Sequence, residues 1–162
     1  SESICAREHY PRTDPAIIVL VEHGERALLG RKAEWPARRY STIAGFVEPG
    51  ESSEQAVVRE VEEETGVEVI KIRYHSSQPW PFPGSLMLGY LAQAGQHRIR
   101  LNDQELEEAI WLSRPELMDR MTHGNFLPPT QISISFRLIE DWFDSDSKIP
   151  FRVLCKNNKK LR

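Results

Sequence analysis

Apolar residues follow two rhythms along this chain, one typical of strands and one typical of helices. Residues 16–21 form a continuous apolar run of strand length, and residues 26–31 follow across a short turn as the returning strand of a hairpin. We predict further strands at residues 40–47, 67–74, 86–94, 97–101 and 109–112. A proline-rich loop is expected between the predicted strands at residues 67–74 and 86–94.

Helical features concentrate in three segments. We predict a helix at residues 53–65. Ser52 or Ser53 can cap its start, and Gly66 can end it because glycine readily adopts the left-handed conformation. A short helix is expected to start at residues 113–115, where a proline suits the first turn. A last helix follows Pro128 and Pro129, and its predicted apolar face consists of Ile132, Phe136, Ile139 and Phe143. This mixed order predicts an α/β (α+β) layered architecture.

Composition limits the class of protein. The chain has 162 residues, of which 40% are hydrophobic and 28% charged, and this fits one compact domain. No apolar run approaches the roughly 18 to 20 residues that a membrane helix needs, and the first residues lack a signal-peptide pattern. Cys5 and Cys155 are too few for a secreted disulfide scaffold. We therefore expect an intracellular, cytoplasmic protein without a membrane partner.

Charge is distributed unevenly along the chain. The formal net charge is −3, yet residues 147–162 contain six basic residues and no acidic one, which leaves −9 for the rest. The basic residues are Lys148, Arg152, Lys156, Lys159, Lys160 and Arg162. A solvated tail is the simpler interpretation of residues 146–162, and contact with RNA or another acidic surface is the alternative.

Three carboxylates share one face of the predicted helix at residues 53–65. Glu60, Glu63 and Glu64 are spaced i, i+3 and i+4, and they lie near the negative end of the helix dipole, where like charges are unfavourable. A hard divalent cation would compensate for this repulsion, because Mg²⁺ binds carboxylate and phosphate oxygens. A solvated acidic face is the structural alternative. Arg59 is placed to meet Glu51 and hold the preceding loop against the helix.

The surrounding segment, residues 45–67, reads GFVEPGESSEQAVVREVEEETGV and resembles the Nudix box at every defined position. The positions that carry the resemblance are Gly45, Glu51, Arg59, Glu60, Val61, Glu63, Glu64, Gly66 and Val67. The resemblance implies an α/β/α sandwich around a mixed sheet, and a loop and helix that bind Mg²⁺ or Mn²⁺ and a diphosphate. It also implies that Glu60, Glu63 and Glu64 hold the metal or help to activate water.

Residues 77–85 read SQPWPFPGS and resemble the array that distinguishes NADH pyrophosphatases within the Nudix superfamily. From composition alone, this stiff aromatic loop is either a clamp for a flat base or a plug over the core. The resemblance implies hydrolysis of NADH and NAD to nicotinamide mononucleotide and AMP, with removal of NAD caps from RNA in some members. It implies a homodimer and a set of substrate-binding residues, namely Gln78, Pro79, Trp80, Pro81, Phe82, Pro83, Gly84 and Ser85.

Five other positions align with family residues. Ala44 matches a metal ligand that acts through its backbone carbonyl, and Glu105 matches a metal-binding or catalytic glutamate outside the box. Tyr10 and Phe46 match aromatic residues of the substrate pocket. Ser135 stands where the family usually has a substrate-contacting alanine. For Glu105 the alternative is a solvated acid among neighbouring acids.

The chain departs from the family pattern at its start. Residues 1–13 resemble the end of a zinc ribbon that has four cysteines in the family, but only Cys5 matches, so we expect no zinc. We assign residues 14–145 to the Nudix domain. Three functions remain open: hydrolysis of NAD(H), hydrolysis of a related substrate such as ADP-ribose or NAD-capped RNA, and dinucleotide sensing or RNA binding without turnover.

Overall fold

Six strands and four helices make up the fold in the computed structural model, which describes residues 12–101 and 105–158. The strands are β1 (Asp14–His23), β2 (Arg26–Arg31), β3 (Ile43–Phe46), β4 (Val69–Trp80), β5 (Ser85–Ala94) and β6 (Glu108–Ser113). The helices are α1 (Ser53–Thr65), α2 (Arg114–Thr122), α3 (Ile134–Asp144) and α4 (Phe151–Asn158). Cys5 and Tyr10 lie outside the described residues.

The strands form one mixed sheet in the order β4-β5-β1-β2-β6, with β3 also paired to β1. The β1–β5 pair is parallel, and the other pairs are antiparallel. Strand β5 follows one edge of β1 for almost its whole length. Strands β2 and β3 therefore share the other edge, where β3 pairs with Ala16–Val19 and β2 with Val21–His23.

Both faces of the sheet are covered by helices. Alternate residues of β1 point to opposite sides. Ile17 and Val19 pack in a cluster with Val57 and Val61 of α1, whereas Ile18 and Leu20 pack in a second cluster with α2, α3 and α4. Burial on both faces explains why β1 is a continuous apolar run instead of an alternating one. The α/β/α sandwich around a mixed sheet is confirmed.

Helix α1 has the bounds that the sequence predicts, because both ends carry strong capping signals. Ser52 Oγ accepts a hydrogen bond from the Gln55 backbone N–H (3.2 Å), and Gln55 Oε1 accepts one from the Ser52 backbone N–H (2.8 Å). Gly66 ends the helix at φ = 65°, and its N–H donates to the Glu62 carbonyl. The orientation of the acidic residues on α1 is fixed by this register.

The proline-rich loop is shorter than expected. Residues 76–80 belong to β4 and pair with β5, so that Pro79 lies opposite Leu86 and Trp80 opposite Ser85. Proline is tolerated here because β4 is an edge strand, whose outer N–H groups need no strand partner. The prediction of a loop over the whole segment was wrong, and only residues 81–84 form the turn.

The strand predicted at residues 97–101 is absent from the structure. This segment runs past the end of α1, where the Arg100 N–H donates to the Thr65 carbonyl (2.8 Å) and Trp111 Nε1 donates to the His97 carbonyl (2.8 Å). The strand predicted at residues 40–47 is reduced to β3. Ile132 precedes α3 and is exposed, while Phe136, Ile139 and Phe143 form the buried face as expected.

The predicted solvated tail was wrong for the part that the structure describes. Phe151, Leu154 and Cys155 of α4 are buried in the same cluster as α3, and the Phe151 ring lies 5.2 Å from that of Phe136 between ring centroids. The carboxylate of Asp144 accepts a hydrogen bond from the Phe151 N–H and connects the two helices. Helix α4 therefore belongs to the core. Among the described helices, none is long and apolar enough to cross a bilayer.

Candidate active site

Arg59 is the centre of the charged site on α1. Its Nε and Nη2 donate to the two carboxylate oxygens of Glu51 (2.8 and 2.9 Å), and Nη2 also donates to the Phe46 carbonyl (2.9 Å). Its Nη1 donates to Glu60 (2.9 Å) and Glu63 (3.0 Å). The predicted Arg59–Glu51 contact is confirmed. One guanidinium thus fixes the loop after β3 to the helix and partly neutralises the acidic face.

The same contacts shift the pKa of Glu51. Hydrogen bonds from Arg59, and then one from the Glu48 backbone N–H, lower the pKa of the Glu51 carboxyl to about 2. The pKa of Arg59 is raised in turn, above all by its bonds to Glu51. Both groups are therefore charged throughout the neutral range, and the clamp persists there.

Glu60 lies against the backbone of β3, and Gly45 makes this possible. A Cβ atom at Gly45 would lie 1.9 Å from the Glu60 carboxyl carbon and 2.0 and 2.3 Å from its oxygens. The Glu60 side chain is only 13% exposed. Burial raises the pKa of Glu60, the charges of Glu63 and Glu105 add to the rise, and Arg59 opposes it. A cation placed here would reverse these unfavourable effects.

The other two acids of the helical face have different surroundings. The Glu63 side chain is 54% exposed and reaches Arg59, whereas Glu64 is 2% exposed. The three carboxylates of this face, which look equivalent in the sequence, therefore differ in solvent exposure from half exposed to buried. A buried carboxylate supplies a fixed oxygen, and an exposed one can rearrange around a ligand.

Glu105 joins this acidic group through Lys32. Lys32 Nζ lies 3.0 Å from Glu105 Oε2. Burial acts to lower the pKa of Lys32, but its hydrogen bond to Glu105 and the charges of Glu64, Glu105 and Glu34 outweigh it and raise that pKa. Glu105 also acts on the pKa of Glu60. The glutamate that the resemblance implies outside the box is thus brought near the helix.

These carboxylates suit a hard divalent cation because such ions bind carboxylate oxygens. The absence of a side chain at Gly45 also leaves the space in which the Glu60 carboxylate lies. In residues 12–101 and 105–158, however, no three His, Cys, Asp or Glu side chains are arranged as a preformed metal site. Arg59 and Lys32 act as counterions to the acids in this arrangement. Ala44, the fifth expected ligand, lies in β3 opposite Ile18, next to Gly45.

A second feature is a cavity of about 320 Å³ on the α3 side of the sheet. Its walls come from the segment before β3, from β4 and β5, and from the segment that leads into α3. The lining residues are Ile18, Trp35, Pro36, Arg39, Tyr40, Ser41, Gln78, Trp80, Met87, Pro129, Thr130, Ser133, Ile134 and Ser135. Three expected substrate-binding residues, Gln78, Trp80 and Ser135, are therefore brought together.

Two of these residues use their polar atoms to build the cavity. Gln78 Nε2 donates to the Ile132 carbonyl (2.6 Å), and Gln78 Oε1 accepts from the Ile134 N–H (2.7 Å). The buried Ser135 hydroxyl lies 2.8 Å from Ser41 Oγ and 2.9 Å from Thr42 Oγ1. Gln78 thus holds the start of α3 against β4, and Ser135 holds α3 against the segment that leads into β3.

The remaining expected residues lie around the end of the β4–β5 hairpin or on β3. Phe82 is 71% exposed at the turn, with its ring 5.6 Å from the Trp80 ring between centroids. Phe46 is 58% exposed on β3. Ser85 pairs with Asp14, whose N–H donates to the Gly84 carbonyl (3.0 Å). Pro79, Pro81 and Pro83 complete the hairpin end.

A short segment links the cavity to the acidic face. Ser41 lines the cavity, and Gly45 lies four residues later against Glu60. Four residues of extended chain span at most about 14 Å. Ser41 at the cavity and Gly45 at the acidic face are therefore no more than about that far apart.

Sequence reasoning missed three residues that the structure brings to the site. Trp35 and Arg39 line the cavity, and Lys32 contacts Glu105. All three lie between β2 and β3, in a segment without clear periodicity. A tryptophan and clustered basic residues in a loop directly before the box were the signal that could have found them.

Residues 11–129 match the family model described as NUDIX domain. The chain belongs to the Nudix family. Curated Nudix relatives include the NAD-capped RNA hydrolase NUDT12 of Macaca fascicularis, 46% identical over 139 residues. The NAD-capped RNA hydrolase NudC of Mycobacterium bovis (strain BCG / Pasteur 1173P2) is 44% identical over 149 residues. These relatives belong to the NADH pyrophosphatase branch, so the recognition made from the sequence is confirmed.

The alignments cover most of this Nudix chain but only part of each relative. They include 82% of the chain and 30% of NUDT12, and 86% of the chain and 48% of NudC. The chain thus matches between about a third and half of the length of these relatives. A crystal structure of a NUDIX hydrolase from Nitrosomonas europaea covers 88% of the chain and 76% of its own length, with a TM-score of 0.69 and 19% identity, and supports the fold.

Proposed function

We propose that this chain hydrolyses the diphosphate bond of NADH and NAD to nicotinamide mononucleotide and AMP, with Mg²⁺ or Mn²⁺ as cofactor. The proposal rests mainly on one observation. Residues 41–45 connect a cavity with aromatic walls to the carboxylates of α1, which differ in burial. A dinucleotide has flat rings and a central diphosphate, and therefore needs both features. The names of the relatives, NAD-capped RNA hydrolases, favour the same chemistry.

Nudix hydrolases generally use Mg²⁺ or Mn²⁺. In this chain the ion would be held by Glu60, Glu63, Glu64, Glu105 and the backbone carbonyl of Ala44. A bound divalent ion neutralises diphosphate charge and lowers the pKa of water. Arg59 orients Glu60 and Glu63, and the loop that it clamps to α1 keeps Gly45 against Glu60.

The reaction needs one water molecule and one proton acceptor. The water oxygen forms a bond to one phosphorus, the bond from that phosphorus to the bridging oxygen breaks, and the bridging oxygen leaves with the other phosphate. A glutamate accepts the water proton. Glu60, Glu63, Glu64 and Glu105 remain the candidates for this base. The aromatic walls of the cavity would position the ring, so that the diphosphate lies near the acids.

A substrate panel tests this proposal. The protein is incubated with NADH, NAD, ADP-ribose or NAD-capped RNA, each with Mg²⁺ and with excess chelator, and the products are identified by mass. We expect AMP from both dinucleotides, together with nicotinamide mononucleotide from NAD and its reduced form from NADH, and no product with chelator. Binding without cleavage of any substrate would favour the dinucleotide sensor or RNA-binding module instead. Preferential cleavage of ADP-ribose would assign the chain to a related pyrophosphatase.

NAD-capped RNA is the second candidate substrate, because the relatives carry that name. Its cap presents the same diphosphate, so the acidic face would act in the same way. The competing rates of NADH and NAD-capped RNA in one mixture decide between them. We also propose a homodimer, which sedimentation of the protein at several concentrations would test.

A further inference from the structure

A lysine ammonium lies among the carboxylates that are proposed to hold the divalent ion. Lys32 Nζ is 3.0 Å from Glu105 Oε2, and the Lys32 side chain is 28% exposed, compared with 56% for Glu105. Although burial acts to lower the pKa of Lys32, its hydrogen bond to Glu105 and the charges of Glu64, Glu105 and Glu34 raise it. Lys32 is therefore a cation that pairs with Glu105 and balances part of the negative charge around it.

The backbone on both sides of this pair is held in place. The Lys32 carbonyl, directly after β2, accepts hydrogen bonds from the Trp35 N–H (3.1 Å) and from Arg31 Nη1 (3.2 Å). The Glu107 N–H donates to the Arg31 carbonyl (2.8 Å), which fixes the segment after Glu105 against the end of β2. The long side chains of Lys32 and Glu105 can therefore rearrange while these backbone bonds stay intact.

The pairing with Lys32 affects how Glu105 can bind an ion. Two cations close to one carboxylate repel each other, so an ion that binds Glu105 would weaken the contact of Glu105 with Lys32. In the part of the chain that the structure describes, no three His, Cys, Asp or Glu side chains form a ready-made metal site, which agrees with acids that are engaged by internal cations. An ammonium released from Glu105 would be a partly buried charge that needs a new anionic partner. A diphosphate brought to the same acids supplies one, because lysine binds phosphate as a point charge.

We propose that the divalent ion displaces Lys32 from Glu105, after which the Lys32 ammonium binds the diphosphate of the substrate. The inference rests on the proposed function and deepens it, because it assigns Lys32 two successive partners in the same site. Lys32 lowers the affinity for the ion while substrate is absent, and it raises the affinity for the diphosphate once the ion is bound. A lysine that only stabilised the loop before β3 would not produce these two effects of opposite sign.

Titration with Mn²⁺ alone tests the displacement without turnover, with the free ion measured by its electron paramagnetic resonance signal. Lys32→Met keeps the apolar stem without the charge and should tighten Mn²⁺ binding by about 5-fold, the order expected for a partly exposed ion pair. Lys32→Arg keeps the charge and should bind Mn²⁺ about as the wild type does. Unchanged or weaker Mn²⁺ binding by Lys32→Met would overturn the inference. If circular dichroism shows that methionine unfolds the protein, Lys32→Gln takes its place.

A double-mutant cycle separates displacement at Glu105 from a general change in charge. If the two cations compete for Glu105, Lys32→Met should tighten Mn²⁺ binding by less than about 2-fold when Glu105→Gln is also present. Arg137→Met is the control for net charge, since it removes an exposed positive charge from α3, on the other face of the sheet from α1. It should leave Mn²⁺ affinity unchanged. An equal effect of Lys32→Met with and without the Glu105 carboxylate would overturn the displacement.

The second partner of Lys32 is tested with α,β-methylene ADP, in which a methylene group replaces the bridging oxygen of the diphosphate. At saturating Mn²⁺, Lys32→Met should bind this probe about 5-fold more weakly than the wild type, because a charge-assisted contact to phosphate is lost. Lys32→Arg should retain most of the affinity, since arginine also binds phosphate. Equal binding of the probe by wild type and Lys32→Met would overturn the contact between Lys32 and the diphosphate.

The two proposals can fail separately. Binding of Mn²⁺ and of the probe that depends on Lys32 as expected, without any hydrolysis of NADH, would keep the inference and refute the proposed function. Hydrolysis of NADH by a protein whose Mn²⁺ affinity does not depend on Lys32 would keep the proposed function and refute the inference.

Discussion

The acidic face of α1 and the cavity beside α3 lie near the two ends of residues 41–45, yet they are built in opposite ways. The acidic face comes from one continuous stretch of chain, and its charges are balanced by Arg59 and Lys32. The cavity is assembled from distant segments that range from Ile18 to Ser135, and its Gln78 and Ser135 side chains form hydrogen bonds within the protein.

This difference predicts whether substitutions in each region mainly change turnover or mainly change the free energy of unfolding. In the proposed function the charges on α1 bind a cation and a diphosphate, so neutral substitutions there should lower turnover more than they destabilise the fold. Polar groups around the cavity already serve the packing of α3 on the sheet. Their removal should affect the free energy of unfolding more than turnover.

The largest expected effect is the loss of one acid from the helical face. Glu63→Gln or Glu64→Gln should lower kcat for NADH by at least about 10²-fold, because the charge stabilises the transition state. Steady-state kinetics measures the loss, and circular dichroism checks that the fold is retained. Glu62→Gln is the matched control, since Glu62 lies about 100° around the helix from Glu63 and about 160° from Glu64. Wild-type rates in both test variants would refute the role of the acidic face.

The second effect concerns the glycine that receives Glu60. Gly45→Ala should lower kcat by about 10- to 100-fold, because the new Cβ displaces the Glu60 carboxylate by an ångström or more. The melting temperature should change little, since the atoms that must shift are the far end of a flexible side chain. Kinetics and a thermal melt of the same sample separate the two outcomes. Loss of folding together with activity would show that Gly45 serves β3 itself.

A smaller effect is expected at the cavity. Ser135→Ala removes a hydroxyl that contacts Ser41 and Thr42, and should lower the free energy of unfolding by about 1 kcal/mol while kcat stays close to wild type. Urea unfolding measures the first quantity and NADH kinetics the second. A large rise in KM without loss of stability would instead make Ser135 a direct substrate contact, as the family resemblance implies.

The smallest expected effect is a change in acid sensitivity. Because the pKa of Glu51 is lowered from its usual 4.5 to about 2, its pairing with Arg59 stabilises the fold fully above pH 4.5 and is lost as the pH falls towards 2. Glu51→Gln should therefore be less stable than wild type at pH 7, and the gap should narrow as the pH approaches 2. Thermal melts across that range measure it. A gap that is independent of pH would contradict the assignment.

Local signals made α1 predictable from the sequence. The first turn of α1 is fixed by Ser52 and Gln55, and its end is fixed by Gly66. The helical period then puts Glu60 and Glu63 on the same face. The continuous apolar character of β1 likewise indicates burial on both faces. These features depend on neighbours in sequence, and the structure has them at the expected positions.

Features that depend on distant partners were not predictable in the same way. Residues 97–101 have strand-like composition, but their backbone bonds go to the end of α1. Pro79 predicts a loop when only its neighbours in sequence are considered. Its place in a strand is explained by the sheet order, because β4 is an edge strand. The sequence around Phe151 predicts a solvated tail, and only its packing against α3 shows that Phe151 belongs to the core. Arg39, Trp80 and Ser135 line one cavity although they are far apart in sequence.

The most direct test of the proposed hydrolysis is product analysis of NADH cleavage in H₂¹⁸O with Mg²⁺. We expect reduced nicotinamide mononucleotide and AMP, with one ¹⁸O atom in the phosphate of one of the two products and no reaction when the metal is chelated. Release of nicotinamide and ADP-ribose, or intact NADH after prolonged incubation with Mg²⁺ or Mn²⁺, would contradict it.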